Sequence, residues 1–258
     1  MNDIFYGLRD RFQLQMNKEN TTMKEMLYSI PVNDAFEVDC ECPICAMRKT
    51  LEDNAVHYTM GPSYMEDDTR AMTDAMGFCQ KHVKDVYNME NRLGMALVLK
   101  TNFDKVISDV KKMSVKQVKP KSLFKKETEK IPTVEYVEHL NSTCFVCDRI
   151  DRVFDRYMDT VIFLWKTDDN FKKKFNSCNG FCTTHYAIMI KEASSKLNGD
   201  ALTIFIDTLN NLYIANMERV RDDLEWFINK NDYKYANEPW NNAKDAIPRA
   251  LTKANSIL

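Results

Sequence analysis

Two stretches share one pattern: Cys42-Pro43-Ile44-Cys45 with Gly77-Phe78-Cys79-Gln80-Lys81-His82, and Cys144-Phe145-Val146-Cys147 with Gly180-Phe181-Cys182-Thr183-Thr184-His185. Each is a C-x2-C pair followed by G-F-C-x2-H. The gap from the second to the third cysteine is 34 positions in the first copy and 35 in the second. Two matches at nearly the same spacing indicate an internal duplication organised around these side chains.

Each copy supplies three thiolates and one imidazole, a complete tetrahedral ligand set of the kind that structural zinc uses. We therefore predict two ions per chain, one held by Cys42, Cys45, Cys79 and His82, the other by Cys144, Cys147, Cys182 and His185. Ligands at i and i+3 of a helix start lie on nearly one face, and the positive end of the helix dipole favours thiolate over thiol. Three alternatives stay open: an iron–sulfur cluster, a redox-active dithiol, and buried cysteines without metal.

Composition favours a folded, helix-rich protein. Of 258 residues, 44% are apolar and 29% charged, with only six Gly and seven Pro. The net charge of −2 provides no general attraction for nucleic acid. No apolar run approaches the length of a membrane span, and the first residues lack a basic region followed by an apolar one, so we expect a soluble cytoplasmic protein. A reducing compartment also suits eight cysteines of which six belong to the two motif sets.

The apolar periodicity predicts an all-α fold. One stripe at helical spacing follows the first C-x2-C and another follows the second; they comprise Met47, Leu51, Ala55 and Tyr58, then Ile150, Val153, Phe154, Tyr157, Val161 and Leu164. Pro31 is expected to stop a short helical turn, and Gly94 to interrupt or bend the helix that begins near Cys79. We expect two homologous helical units that arose by duplication and pack about a pseudo-two-fold axis, each held by its own Cys3His site.

The predicted boundaries follow from the composition along the chain. Residues 1–22 form an accessory segment with an amphipathic helix, and residues 23–113 form the first repeat with its metal site. Residues 114–130 form a basic linker, in a stretch from 111 to 130 that contains eight Lys and two Glu. Residues 131–258 form the second repeat and end in a C-terminal strap. A phosphate-binding patch is the alternative for the linker, but Lys without interleaved aromatic residues is typical of a solvated connector.

Two further features fall outside the ligand sets. Cys40 and Cys178 do not correspond across the repeat, and each is read as a small apolar residue, with a spare thiol as the alternative. The turn Gly61-Pro62-Ser63 is followed by acidic residues, and we predict that Tyr64, Glu66, Asp67 and Arg70 border a cleft between the two halves. Helix capping by the acids is the plainer interpretation, and a hard-cation site is another.

The chain also resembles a known bacterial family. The resemblance is carried by Ile30-Pro31-Val32-Asn33, the two Cys/His sets, Leu51-Glu52-Asp53-Asn54, the segment Gly61 to Asp68 and Asn91-Arg92-Leu93-Gly94. That family is catalogued as a domain of unknown function, and its members are sometimes labelled ABC transporter substrate-binding proteins. The resemblance covers all but the first 20 or so residues and implies no activity.

Three functional hypotheses follow. The first is a non-enzymatic zinc-binding scaffold for an unknown protein or small-molecule partner. The second is a thiol-based redox or metal sensor whose metal exchanges. The third is an enzyme, but the sequence has no G-x-S-x-G, phosphate-binding Gly loop, Rossmann fingerprint or H-E-x-x-H, and a closed tetrahedron leaves no coordination position for a reacting water. The first hypothesis is therefore preferred.

Overall fold

The computed structural model describes residues 27–116 and 131–255, and within these ranges all regular structure is helical. The helices are α1 (Ser29–Ala35), α2 (Pro43–Met60), α3 (Asp67–Met76), α4 (Gln80–Asn88), α5 (Arg92–Lys116), α6 (Pro132–Ser142), α7 (Phe145–Thr167), α8 (Asp169–Ser177), α9 (Thr183–Lys196), α10 (Gly199–Asn229) and α11 (Ala246–Asn255). Short 3-10 helices cover Pro62–Met65 and Tyr233–Tyr235. The all-α prediction is confirmed for the described residues. The predicted helix in residues 1–22 and most of the basic linker lie outside them.

The apolar stripes predicted for α2 and α7 are largely buried. In α2, Met47, Leu51 and Ala55 are at most 8% exposed. In α7 every member of the stripe except Val153 is buried. Pro43 opens α2 at a position where no intrahelical amide donor is required.

The described chain divides into two compact units that differ from the predicted halves. Unit 1 comprises the described residues within Met1–Lys49 and Phe154–Leu258, and unit 2 comprises those within Thr50–Val153. Both boundaries fall inside helices, one in α2 and one in α7. The first turn of each of these helices therefore belongs to a different unit from its last turn.

Unit 1 has an aromatic core. Its buried rings, with neighbouring centroids 4.8 to 6.3 Å apart, are Phe36, Trp165, Phe171, Phe175, Phe181 and Phe205. Rings at these separations add to the stability that comes from apolar burial. Residues after α10 also pack within unit 1: Ala243 and Ala246 are fully buried, and the Trp240 ring lies 5.8 Å from that of Phe227 in α10.

Two local predictions were wrong. Pro31 does not stop a helix, because it is the third residue of α1, in the first turn, where the missing N–H is not needed. Gly94 lies within the first turn of α5, and the chain breaks earlier, at Glu90, whose φ is +61°. None of the helices in the described residues is both long and apolar enough to cross a membrane.

Candidate metal centres

Cluster A consists of Cys42, Cys45, Cys182 and His185, all of which lie in unit 1. The cysteine pair is at the start of α2, and Cys182 caps α9, whose first turn carries His185. The Nδ1 atom of His185 lies 3.5 Å from the sulfur of Cys42, 3.3 Å from that of Cys45 and 3.2 Å from that of Cys182. The sulfurs of Cys45 and Cys182 are 3.7 Å apart. Two helix N-termini therefore meet at this cluster.

Cluster B consists of Cys79, His82, Cys144 and Cys147, all in unit 2. Cys79 occupies the position just before α4, and the other cysteine pair is at the start of α7. The Nδ1 atom of His82 lies 3.3 Å from the sulfur of Cys79, 3.4 Å from that of Cys144 and 3.2 Å from that of Cys147. The sulfurs of Cys79 and Cys147 are 3.9 Å apart. Clusters A and B thus have the same donor set and nearly the same dimensions.

These dimensions fit one tetrahedral ion in each cluster. With Zn–S bonds of about 2.3 Å and Zn–N bonds of about 2.0–2.1 Å, the tetrahedral edges are about 3.8 Å between sulfurs and about 3.6 Å between sulfur and nitrogen. The observed separations are 3.7 and 3.9 Å between sulfurs, and 3.2 to 3.5 Å from sulfur to Nδ1. An ion at the centre would be bound through Nδ1 of the histidine in both clusters.

The predicted pairing within each half was wrong, although the eight residues do form two sets of four. Each C-x2-C pair joins the C-x2-H of the other half of the sequence. Helix length gives the physical reason: α2, with 18 residues, carries the chain about 27 Å from Cys42 and Cys45, whereas the ten-residue α3 is only about 15 Å long. The same holds for α7, with 23 residues, and α8, with nine. The short helix is not long enough to return the chain to the start of the long one.

A glycine precedes each C-x2-H in the left-handed region of backbone conformation. Gly77 has φ of +60° and Gly180 has φ of +77°, which confirms the sharp turns expected there. A Cβ at Gly180 would lie 3.0 Å from the carbonyl oxygen of Leu212 in α10. After that glycine, Phe181 is fully buried against Phe36, so the turn is fixed to the core of unit 1.

Glu52 orients the histidine of cluster B. Its Oε1 atom lies 2.9 Å from Nε2 of His82, on the ring edge opposite the sulfurs, and also pairs with Lys81. A carboxylate in this place keeps the proton on Nε2, which leaves Nδ1 free to bind a metal. Burial opposes ionisation of Glu52, but hydrogen bonds from Lys81 and His82 hold its pKa below the usual value. Asp85 forms a third group with Glu52 and His82, in which one possible ligand atom from each residue lies within 4.8 Å of the others.

When no metal is bound, cluster B favours an ion pair. Burial raises the pKa of Cys144, but the hydrogen bond with His82, together with backbone hydrogen bonds, lowers it to about 6. The same contact is the largest cause that raises the pKa of His82, to about 9. Burial and the charge of Cys144 raise the pKa of Cys147 to about 12. An incoming cation therefore meets the thiolate of Cys144 and displaces protons from His82 and Cys147.

The thiols outside the motifs are not ligands in either cluster. Burial raises the pKa of Cys178 to about 11 and also raises that of Cys40. Both side chains are partly buried. Protonated thiols of this kind fit the interpretation of Cys40 and Cys178 as small apolar residues.

The predicted functional surface lies in unit 2. Tyr64 belongs to the 3-10 helix, Glu66 and Asp67 are exposed at the start of α3, and Arg70 is partly buried. Among the described residues, the groups that can hold a metal ion include none of these acids. Unit 2 also has a pocket of about 360 Å³ lined by Val83, Lys84, Tyr87, Asn88 and Met95, to which none of the four contributes.

The fold and the two clusters define an all-helical protein with two Cys3His sites able to hold metal. The chain belongs to DUF6062, a family of unknown function, whose model matches residues 23–258. Searches of curated proteins and of solved structures gave no match. The family description names no activity, so any function must be argued from the site itself.

Proposed function

We propose that the protein binds two Zn²⁺ ions, one in cluster A and one in cluster B, as closed structural sites. The observation that carries the proposal is the tetrahedral spacing of three sulfurs and one Nδ1 atom in each cluster. The carboxylate of Glu52 behind His82 adds support, because metal-bound imidazoles commonly donate their second N–H to such a group. Each ion would join the starts of two helices and so stabilise the unit that contains it.

A mononuclear site suits these clusters better than an iron–sulfur cluster. An iron–sulfur cluster distributes its ligands over two or more irons, so ligand atoms on different irons would lie farther apart than the 4.8 Å within which all four ligand atoms of each site are found. None of the eight cysteines, all of which lie in the described residues, forms a disulfide bond, a state that suits metal binding in a reducing compartment. A cytoplasmic location is therefore part of the proposal.

In this proposal the metal ions keep the helix starts in place and take part in no reaction. The protein serves as a scaffold for a partner or small ligand. Four donors fill a tetrahedral zinc ion, so no position remains for a reacting water. Tyr64, Glu66, Asp67 and Arg70 are proposed as part of the functional surface, supported by the exposure of Glu66 and Asp67. Replacing Tyr64 and Asp67 together by Ala should weaken partner binding without reducing metal content.

The second candidate is a thiol-based sensor with exchangeable metal. It is favoured by the partial exposure of Cys79 and Cys147 in cluster B, which gives an oxidant access to two of the three sulfurs. Mild peroxide discriminates the two: a sensor would release zinc and recover it after reduction and zinc addition, whereas structural sites would retain their metal.

We also propose that the chain arose by duplication and that the two copies exchanged their C-x2-C segments. Support comes from the composition of the clusters: each combines the C-x2-C pair of one half of the sequence with the C-x2-H pair of the other half. The matching positive-φ glycines, Gly77 and Gly180, provide a second correspondence.

Elemental analysis of protein purified under reducing conditions tests the zinc proposal. We expect two zinc ions per chain, and after exchange with Co²⁺ we expect the intense thiolate-to-metal absorption and visible bands of tetrahedral cobalt. A metal content near zero would overturn the proposal. A native protein with broad visible absorbance and bound iron would replace it with an iron site.

A further inference from the structure

The C-terminal helix α11 places one buried lysine between the two ligand-bearing segments of cluster A. Lys253 is 1% exposed, and its ammonium donates to the carbonyl oxygen of Glu41 at 2.7 Å and to that of Asn179. Glu41 immediately precedes Cys42, and Asn179 lies three residues before Cys182. A single side chain that is distant in sequence thus ties together both halves of the cluster.

In cluster B the corresponding hydrogen bonds come from residues next to the ligands in sequence. Counting back from the ligands, Thr143 and Met76 occupy the places of Glu41 and Asn179. The hydroxyl of Thr143 donates to the carbonyl oxygen of Met76 at 2.9 Å. The carbonyl of Met76, which corresponds to that of Asn179, therefore accepts from a residue adjacent to a ligand. The carbonyl of Asn179 accepts instead from the distant Lys253.

A second local tie in cluster B has no counterpart in cluster A. The backbone N–H of Phe145 donates to the carbonyl oxygen of Gly77 at 3.0 Å. Pro43 occupies the place of Phe145 in the first motif, and proline has no N–H to donate. Cluster A therefore cannot form this hydrogen bond. Its hydrogen-bond donors come instead from Lys253, on another helix.

The charge of Lys253 also suits a thiolate–metal centre. Three thiolates, one neutral imidazole and one divalent cation carry a net charge of −1, which a nearby ammonium offsets. Lys253 is held in place by Glu41, whose Oε2 atom lies 3.2 Å from the ammonium and 2.6 Å from Arg219. A second bond fixes α11 to the ligand helix, since Thr183 donates to the carbonyl oxygen of Lys253 at 3.1 Å.

We propose that Lys253 is a positioning residue for cluster A, through which the docked C-terminal helix and the metal in that cluster stabilise each other. This inference rests on the proposed metal binding. Cluster B, whose ties are local, does not depend on α11. Metal retention in the two clusters is therefore regulated separately, and displacement of α11 releases the ion of cluster A alone.

The test compares metal release from wild-type protein, Lys253→Met and the matched control Lys196→Met. Lys196 also forms ion pairs in unit 1, with Asp159 at 2.8 Å and with Glu192, but it lies at the C-terminal end of α9, away from the first turn that carries His185. With a chromophoric chelator in excess, Lys253→Met should lose one of its two ions at least tenfold faster, with the other unchanged. Lys196→Met should match wild type.

A rescue variant separates positioning from general destabilisation. Pro43→Ala restores an N–H at the place of Phe145, so Pro43→Ala combined with Lys253→Met should slow the fast release again. Should Lys253→Met not fold, hydrogen exchange on wild-type protein decides: withdrawal of metal should deprotect α11 more than α6.

The outcomes distinguish the two proposals. Wild-type protein that binds no metal overturns the zinc proposal, and this inference with it. Suppose instead that wild-type protein holds two ions. If Lys253→Met then releases both ions at the wild-type rate, or both faster by the same factor, only the proposed role of Lys253 is overturned. Equal exchange in α11 and α6 after metal withdrawal has the same consequence.

Discussion

Replacing Glu52 by Ala should weaken metal binding in cluster B and leave cluster A unchanged. The carboxylate lies 2.9 Å from Nε2 of His82, a residue only 4% exposed. Without it, the Nε2–H loses this acceptor, and the ring loses the contact that fixes its tautomer and orientation. Loss of such a partner typically costs about 10–100-fold in metal affinity. We expect the zinc dissociation constant of cluster B to rise by that factor, equivalent to about 1.4–2.8 kcal/mol.

The assay is competition between the protein and a chelator of known zinc affinity, followed for both ions. Cluster A, with the same donors in the same molecule, is the internal reference. Glu52→Gln keeps an oxygen acceptor and should lose less than tenfold. Lys81→Met removes the other partner of Glu52, on a side chain 63% exposed, and should have little effect. Unchanged affinity in Glu52→Ala, or equal weakening of both clusters, would refute the reasoning.

Three further results are expected. Gly180→Ala should lower the thermal unfolding midpoint more than Gly77→Ala or Gly199→Ala. All three glycines have positive φ, where alanine is strained by about 1–3 kcal/mol. Only at Gly180 does the added Cβ also approach a backbone oxygen, at 3.0 Å. Cys45→Ser should lower the free energy of unfolding, measured by denaturant titration, by several kcal/mol, because metal-binding energy is coupled to folding. Cys178→Ser should lower it by about 1 kcal/mol or less. Equal small effects would argue against the ligand assignment. Zinc binding to cluster B at neutral pH should release at least two protons, one from His82 and one from Cys147, since both are protonated before binding; calorimetry in buffers of different ionisation enthalpy measures the number, and fewer than two would contradict the expectation.

The sequence was sufficient for the all-helical class and for the residues that form the two clusters. The stripe of Met47, Leu51 and Ala55 predicted α2 because a 3.6-residue period is a local property. The repeated C-x2-C and C-x2-H motifs likewise identified all eight cluster residues without reference to the fold.

The sequence was insufficient for the pairing, which depends on where long helices end. Equal spacing in both halves is compatible with pairing inside a half or across halves, and only the lengths of α2 and α7 discriminate between them. Glu52 and Lys253 were missed for a related reason. Glu52 is 30 positions from His82, and Lys253 is 212 positions from Glu41, so neither contact leaves a short-range signal.

Zinc content in paired double variants tests the central claim most directly. Cys42 and Cys182 share cluster A, whereas Cys42 and Cys79 belong to different clusters. In Cys42→Ser with Cys182→Ser, cluster B is intact, and we expect one zinc ion per chain. In Cys42→Ser with Cys79→Ser, both clusters lack a ligand, and we expect neither ion to survive dialysis against a mild chelator. One retained ion in the second variant and none in the first would contradict the cross-paired sites and restore pairing within each half of the sequence.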